Sequence, residues 1–338
     1  MALPPSLLIR TVKTIWTTLW RTMMSQMAPS DKAGNYQRPK SVFCDRIPSG
    51  QYPAAPNRYR LIVGMGCPWA HRTLIVRALK GLDTAIAVTI VSPSGNEGCW
   101  VFDHPSEQDS LSCRTLPQFY AKTQKGYQGR ATVPALWDSQ TNTIVNNESA
   151  EIIEILNAAF NECAPQPDLN LYPVELQREI DRWNTLIYSA INNGVYRCGF
   201  AQTQTAYEAA CNELFDTLDV IDTALATQRY LCGERLTLAD IRLFTTLIRF
   251  DVAYYGLFKC NQHRIAEYKH LSGYVRDIYQ LPGVADTCDV EAIKRDYFGN
   301  LFPLNPGGLI PLGPDLSSLD VPHGRENICF KYDLESGP

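Results

Sequence analysis

Apolar positions along this chain change their period once. Up to about residue 160, short β-branched runs alternate with helical patterns, and beyond about residue 168 the strand signal fades. Residues 58–64, RYRLIVG, put Leu61 and Val63 on one face of a strand. A helical pattern follows through Leu74, Ile75, Ala78 and Leu79 and stops at Gly81. Residues 84–93, TAIAVTIVSP, read as a buried strand, which completes a β-α-β unit and implies parallel pairing. After an irregular stretch, residues 131–138 and 141–145 predict a hairpin. The run NNESAEIIEILNAAF then predicts a helix with Ile152, Ile153, Leu156 and Phe160 on one side. Residues 173–193, 203–227, 238–255 and 263–280 read as further helices and predict an all-helical second domain. The expected organisation is a basic helix and connecting arm over 1–57, an α/β domain over 58–165, a helical domain over 166–300 and an extended tail over 301–338.

The first of these segments carries its own signal. Over residues 7–27, Ile9, Val12, Ile15, Trp16, Leu19, Trp20 and Met23 recur at helical spacing, with Arg10, Lys13 and Arg21 and no acid. Three readings stand: a targeting peptide, a weak membrane-surface contact through residues 7–27, or a helix packed on its own protein. No apolar run is long enough to span a bilayer. A net charge of −4 gives no reason to expect nucleic acid. Eleven cysteines, an odd and scattered number without a secretory h-region, argue for reduced thiols and a cytoplasmic location, with an organelle or a membrane periphery as the alternative. No CxxC occurs, and His71, His104, His263, His270 and His323 show no zinc spacing, so no metal is expected.

The chemistry concentrates in GMGCPWAHR, residues 64–72. A thiol is a nucleophile only when ionised, and a free one titrates near ~8.5. Cys67 lies where a strand ends and a helix begins, with Pro68 suited to the first helical position. The free amides and dipole of that helix end favour a thiolate, and His71 and Arg72 add nearby positive charge. Ala70 stands where a dithiol enzyme has its resolving cysteine, so an external thiol must finish any cycle, and glutathione is the obvious one. The plain alternative is a buried cysteine at a helix start. Gly64-x-Gly66 is no dinucleotide fingerprint, because Trp69 occupies the third glycine's place.

Two more motifs follow in order. In thioredoxin-like folds a cis-proline at the position of Thr132-Val133-Pro134 exposes the preceding backbone beside the active cysteine, where a peptide thiol pairs with Val133 as an added strand would. A strand with an edge proline is the alternative. Asn147-Glu148-Ser149 precedes a helix. Glu148 can accept an α-ammonium group while Ser149 donates to a carboxylate, or Ser149 or Asn147 simply caps. Leu236-Thr237-Leu238-Ala239-Asp240 reads as a capping box with a structural role alone.

Together these pieces resemble the glutathionyl-hydroquinone reductases, the Xi class of the glutathione transferases, over roughly residues 35–314. The resemblance is carried by CPWAHRTLIVRALKGL, TVPALWD, NNESAEII, INNGVYRCGFA, LTLADIRLFTTLIRFD, FKCN, LPGVADT, IKRDYFG and NPGGLIPLGP. It implies a thioredoxin-like N-terminal domain, an all-α C-terminal domain and a homodimer. It implies Cys67 as the nucleophile, Trp100, Val133, Glu148 and Ser149 as glutathione contacts, and Tyr196 and Tyr297 as hydroquinone contacts. Position 298 is Phe where the family often has Tyr, and Cys44-Asp45 replaces the family's Arg-Asn in the arm. A glutathione-contacting arginine of the family is not assigned to a position of this chain; Arg114 and Arg130 are both candidates. The implied activity reduces an aromatic glutathionyl-hydroquinone with glutathione as co-substrate. An omega-like thioltransferase or dehydroascorbate reductase, and a non-catalytic ligand-binding protein, are the rivals.

Overall fold

The computed structural model describes residues 4–328, without the side chains of residues 109 and 110; the ends of the first and last expected segments, residues 1–3 and 329–338, lie outside it. A five-stranded sheet in the order β3-β2-β1-β4-β5 holds the N-terminal half together. Its strands are β1 (Tyr59–Val63), β2 (Ala87–Ser94), β3 (Cys99–Phe102), β4 (Ala135–Asp138) and β5 (Thr143–Asn146). β1 and β2 run parallel, as the β-α-β reading requires, and every other pairing is antiparallel.

The helices of this half are α1 (Pro5–Met27), α2 (Pro68–Leu79), α3 (Pro105–Leu111), α4 (Leu116–Thr123) and α5 (Ser149–Ala158). The stretch read as irregular thus contains a strand and two helices. β3 has four residues, too few to show a period, and pairs back onto β2 with Val91 opposite Phe102. α4 is fixed by a capping box in which Thr115 accepts from the Gln118 amide and the Gln118 side chain accepts from the amide of Thr115. β2 starts three residues later than expected. The Arg77 side chain donates to the Ile86 and Asp83 carbonyls, so the chain turns there before it extends. β4 likewise begins only after Pro134.

The helical half comprises α6 (Gln177–Leu186), α7 (Gly194–Gly199), α8 (Gln204–Ala224), α9 (Leu238–Arg249), α10 (Tyr255–Leu257), α11 (Leu271–Tyr279) and α12 (Val290–Asn300). Single π-helical segments join α6 to α7 (Ile187–Asn192) and α9 to α10 (Phe250–Tyr254). The helix predicted over 263–280 is broken. Asp251 accepts from the Ile265 and Ala266 amides, and Asp222 accepts from the His270 and Leu271 amides, which starts α11 afresh. α12 escaped the sequence pattern, although Asp289 caps it by accepting from the Ala292 amide.

α1 forms over the predicted residues, but only its last turns dock. Met24 is fully buried, Trp16 meets Phe302, and the Trp20 indole donates to the Pro303 carbonyl at 3.1 Å. Leu7, Leu8, Ile9, Val12, Ile15 and Leu19 stay exposed. No helix of the described residues is long and apolar enough to cross a membrane.

Candidate active site

Cys67 is the N-cap of α2, with extended backbone (φ −77°, ψ 120°), and Pro68 is the first helical residue. Its sulfur lies 3.7 Å from the Val133 carbonyl oxygen, to which the thiol donates, at the helix end where the Ala70 and Trp69 amides favour a thiolate. Val133-Pro134 is cis, as the motif predicts. The turn before Cys67 needs its glycines for space. A Cβ on Gly64 would strike the Trp100 ring, and one on Gly66 would strike the Asp296 side chain.

The source of positive charge differs from the expectation. His71 is buried; Arg249 donates to its Nδ1 at 2.8 Å, so Nε2 carries the proton toward Thr287 Oγ1 at 2.8 Å. Burial, with Arg249 beside it, holds this imidazole well below its usual pKa and therefore neutral. Arg72 turns away as well, donating to Asn192 Oδ1 at 2.6 Å and Ser149 Oγ at 3.3 Å. Burial and the nearby Arg242 bring it down to about 9. The cations that act on Cys67 are Arg249 and Arg38. Arg249 is fully buried and donates to the carbonyls of Gly66 (2.9 Å), Met65 (3.1 Å) and Thr245 (2.9 Å), so the helical half clamps the cysteine turn. Even so, burial pushes the Cys67 thiol up, and the Ala70 amide, Arg249, the Trp69 amide and Arg38 offset that only in part. The helix end favours the thiolate as expected, but desolvation outweighs it.

Val133, Glu148 and Ser149 line a cavity of ≈ 540 Å³ together with Trp69 and residues of the arm; Cys67 is not part of that lining and meets it through Val133. Glu148 is itself the cap of α5, its Oε1 accepting from the Ala150 amide at 3.1 Å; Asn147 and Ser149 are not. Its Oε2 accepts from Ser41 Oγ at 2.9 Å. Asn147 instead holds the arm, accepting from the Phe43 amide at 3.2 Å. This wall offers a carboxylate for an ammonium group, and a serine at a helix N-terminus for a carboxylate. Of the two candidate arginines, Arg130 lines the cavity, whereas Arg114 is exposed and pairs with Glu97. Trp100 lies against Gly64 on the cysteine turn and is not part of the lining.

The two tyrosines meet each other. The hydroxyls of Tyr196 and Tyr297 are 2.7 Å apart, and Tyr254, which the sequence did not single out, places its hydroxyl 2.9 Å from that of Tyr297. Burial raises the pKa of all three, so they are neutral and able to donate. The Tyr196 ring stacks on Trp69 with centroids 6.4 Å apart, linking the tyrosine cluster to the cavity. Phe298, at the position noted above, is partly buried against the core. Among the described residues no three His, Cys, Asp or Glu side chains stand together as a metal site.

Comparison with known proteins matches both halves. Residues 66–159 match the family model of the glutathione S-transferase N-terminal domain, and residues 204–277 that of the C-terminal domain. The chain is 43% identical over 325 residues to the glutathionyl-hydroquinone reductase YqjG of Escherichia coli, covering 92% of this chain and 97% of that protein. It is 43% identical to the glutathionyl-hydroquinone reductase PcpF of Sphingobium chlorophenolicum, covering 89% and 94%. Among solved structures, the glutathione transferase Xi of Phanerochaete chrysosporium superposes with a TM-score of 0.81 at 44% identity, covering 86% of this chain and 95% of that one. The glutathione-bound structure of E. coli YqjG gives 0.78 at 44% identity, covering 87% and 94%.

Proposed function

This chain belongs to the glutathionyl-hydroquinone reductases, the Xi class of the glutathione transferases, and we propose that it reduces glutathionyl-hydroquinones to hydroquinones through a mixed disulfide at Cys67. The Cys67 thiolate attacks the glutathionyl sulfur. A sulfur–sulfur bond forms, the bond from that sulfur to the ring breaks, and the ring keeps the electron pair and takes up a proton. A second glutathione thiolate then attacks the mixed disulfide. Oxidised glutathione leaves and the Cys67 thiolate returns, so the hydroquinone gains a hydrogen where it held sulfur.

The observation that carries this reading is the meeting of three features at one turn. The Cys67 sulfur sits 3.7 Å from the Val133 carbonyl. Val133 lines the same cavity as Glu148 and Ser149. Trp69 joins that cavity to the Tyr196–Tyr297 pair. In the proposed complex Glu148 takes the α-ammonium of the glutathione, Ser149 and the start of α5 its carboxylate, and Val133 its peptide, with Trp100 closing over the cysteine turn. Tyr196 and Tyr297 hold the ring and deliver the proton, because expelling an aryl carbon requires an activated ring.

Turnover of glutathionyl-menadiol with excess glutathione, for the wild type and Cys67→Ser, tests the proposal. Release of the hydroquinone with oxidised glutathione, lost in the variant, is expected. Cys67-dependent reduction of a simple glutathione mixed disulfide without that release would make the protein an omega-like thioltransferase. Silence in both assays would leave a binding protein.

A homodimer and a cytoplasmic location complete the proposal. One observation favours a second location, at a membrane surface. The apolar stripe of α1 is exposed beside Arg10, Lys13 and Arg21, and the helix carries no acid. Co-sedimentation with anionic vesicles, with and without residues 1–27, decides between them.

A further inference from the structure

Arg38 lies on the arm, outside both the sheet and the helical bundle, yet its guanidinium carbon is 3.9 Å from the Trp69 ring centroid and 5.9 Å from that of Tyr196. Both rings belong to the site: Trp69 lines the cavity and the Tyr196 hydroxyl meets that of Tyr297. The arm is pinned on each side of Arg38. Upstream, the Gln202 amide donates to the Gly34 carbonyl at 3.1 Å and Thr203 Oγ1 to the Ala33 carbonyl at 2.9 Å. Downstream, Ser41 bonds to Glu148, and the Asp45 amide donates to the Val145 carbonyl at 3.0 Å on β5. Three residues separate Gly34 from Arg38 and two separate Arg38 from Ser41, so the guanidinium has little freedom to leave the indole face.

No carboxylate pairs with Arg38 among the described residues, so its charge is not neutralised by an acid. We propose that Arg38 is a positioning residue of this reaction, a cation that the arm holds on the cavity wall over the Trp69 and Tyr196 rings, where it stabilises the negative charge that the reaction places at Cys67. The proposal rests on the assignment of Cys67 as nucleophile. The other groups acting on Cys67 are Arg249 of α9, Tyr196 of α7 and the amides of its own helix; Asp296 of α12 accepts from the neighbouring Gly66 amide, and Arg72 of α2 lies over the Trp69 ring at 4.5 Å while donating to Asn192 and Ser149. Arg249 already spends its donors on three carbonyls and His71. Arg38, which stacks on a ring, is the cation with donors free to meet an anion that forms beside it.

Removing that charge disfavours the thiolate, so the pH at which Cys67 is half ionised must rise. The test is the rate of Cys67 alkylation by iodoacetamide against pH, followed at the Cys67 peptide by mass spectrometry, in the full chain and in its Arg38→Gln and Arg38→Lys variants. The expected result is a midpoint about 0.5–1 pH unit higher in Arg38→Gln, restored in large part by Arg38→Lys. Superimposable profiles, or an Arg38→Lys profile that matches Arg38→Gln, would overturn the proposal. Turnover of glutathionyl-menadiol on the same wild-type sample reports separately on the reductase reading, because the alkylation profile needs no substrate.

Discussion

Replacing Asp296 by Asn should stabilise the protein, and increasingly so as the pH rises. Asp296 lies on α12, next to Tyr297, and its Oδ2 accepts from the Gly66 amide at 3.2 Å. Its Oδ1 is buried without a hydrogen-bond partner, 3.9 Å from the Arg295 Nε, and only 8% of the side chain is exposed. Burial therefore pushes this carboxyl up from 3.8 to about 6, with Arg295 opposing. A carboxyl whose pKa is raised by folding favours the fold in its neutral form, and that contribution is lost as the pH climbs from the unfolded value through about 6. Two pKa units correspond to about 3 kcal/mol well above that range, roughly half of which has already accrued at pH 5. Asn keeps an oxygen for the Gly66 amide and cannot ionise. The stability of Asp296→Asn relative to wild type should thus grow by about 1–2 kcal/mol between pH 5 and pH 8, read from urea denaturation at each pH. A gap that stays constant, or that shrinks as pH rises, would refute the reasoning and show that water or Arg295 satisfies the carboxylate fully.

Three further outcomes follow from the same contacts. Asp240 is buried and accepts from the Leu231 amide, the Thr237 amide, Thr237 Oγ1 and the Tyr274 hydroxyl. Asp240→Ala should therefore cost about 3–5 kcal/mol in chemical denaturation, above the ~0.5–2 kcal/mol of an ordinary cap, because it strands two buried amides. Glu148→Gln keeps one oxygen to cap α5, removes the charge and turns the acceptor that faces Ser41 Oγ into a donor, whose hydrogen bond the serine hydroxyl can accept. It should raise the KM for glutathione about 10–100-fold while the urea midpoint moves little, and an unchanged KM would remove Glu148 from the site. Tyr297→Phe breaks the hydroxyl contacts to Tyr196 and Tyr254. It should lower kcat/KM for glutathionyl-menadiol about 10-fold and leave reduction of a small glutathione mixed disulfide unchanged.

What could be read in the sequence was local. The cap at Cys67, the proline after it, the Val133-Pro134 bond and the box at Thr237–Asp240 are each set within a few residues, and each is found where the motif put it. The thioredoxin-like core and the helical half follow from periodicity for the same reason. Short elements were not legible. β3 spans four residues, and α12 lacks a clean apolar stripe because Lys294 and Tyr297 are buried on it. The electrostatics were illegible in a different way. Arg249 reaches the cysteine turn across more than 180 residues of chain, so nothing near GMGCPWAHR announces it, and the nearby His71 and Arg72 were credited instead. Arg249, the single charge in the apolar run LFTTLIRF, was the available signal. Tyr196 and Tyr297 were singled out through the family resemblance alone, and Tyr254, which completes their cluster, had no local mark at all.

The most direct test of the account is whether the glutathionyl group comes to rest on Cys67. The protein is mixed with one equivalent of glutathionyl-menadiol and no free glutathione, quenched in acid, and mapped by mass spectrometry. One added glutathionyl group is expected, on the Cys67 peptide and on no other cysteine, released when glutathione is supplied. Hydroquinone formation without that adduct, or an adduct on another cysteine that persists in Cys67→Ser, would contradict it.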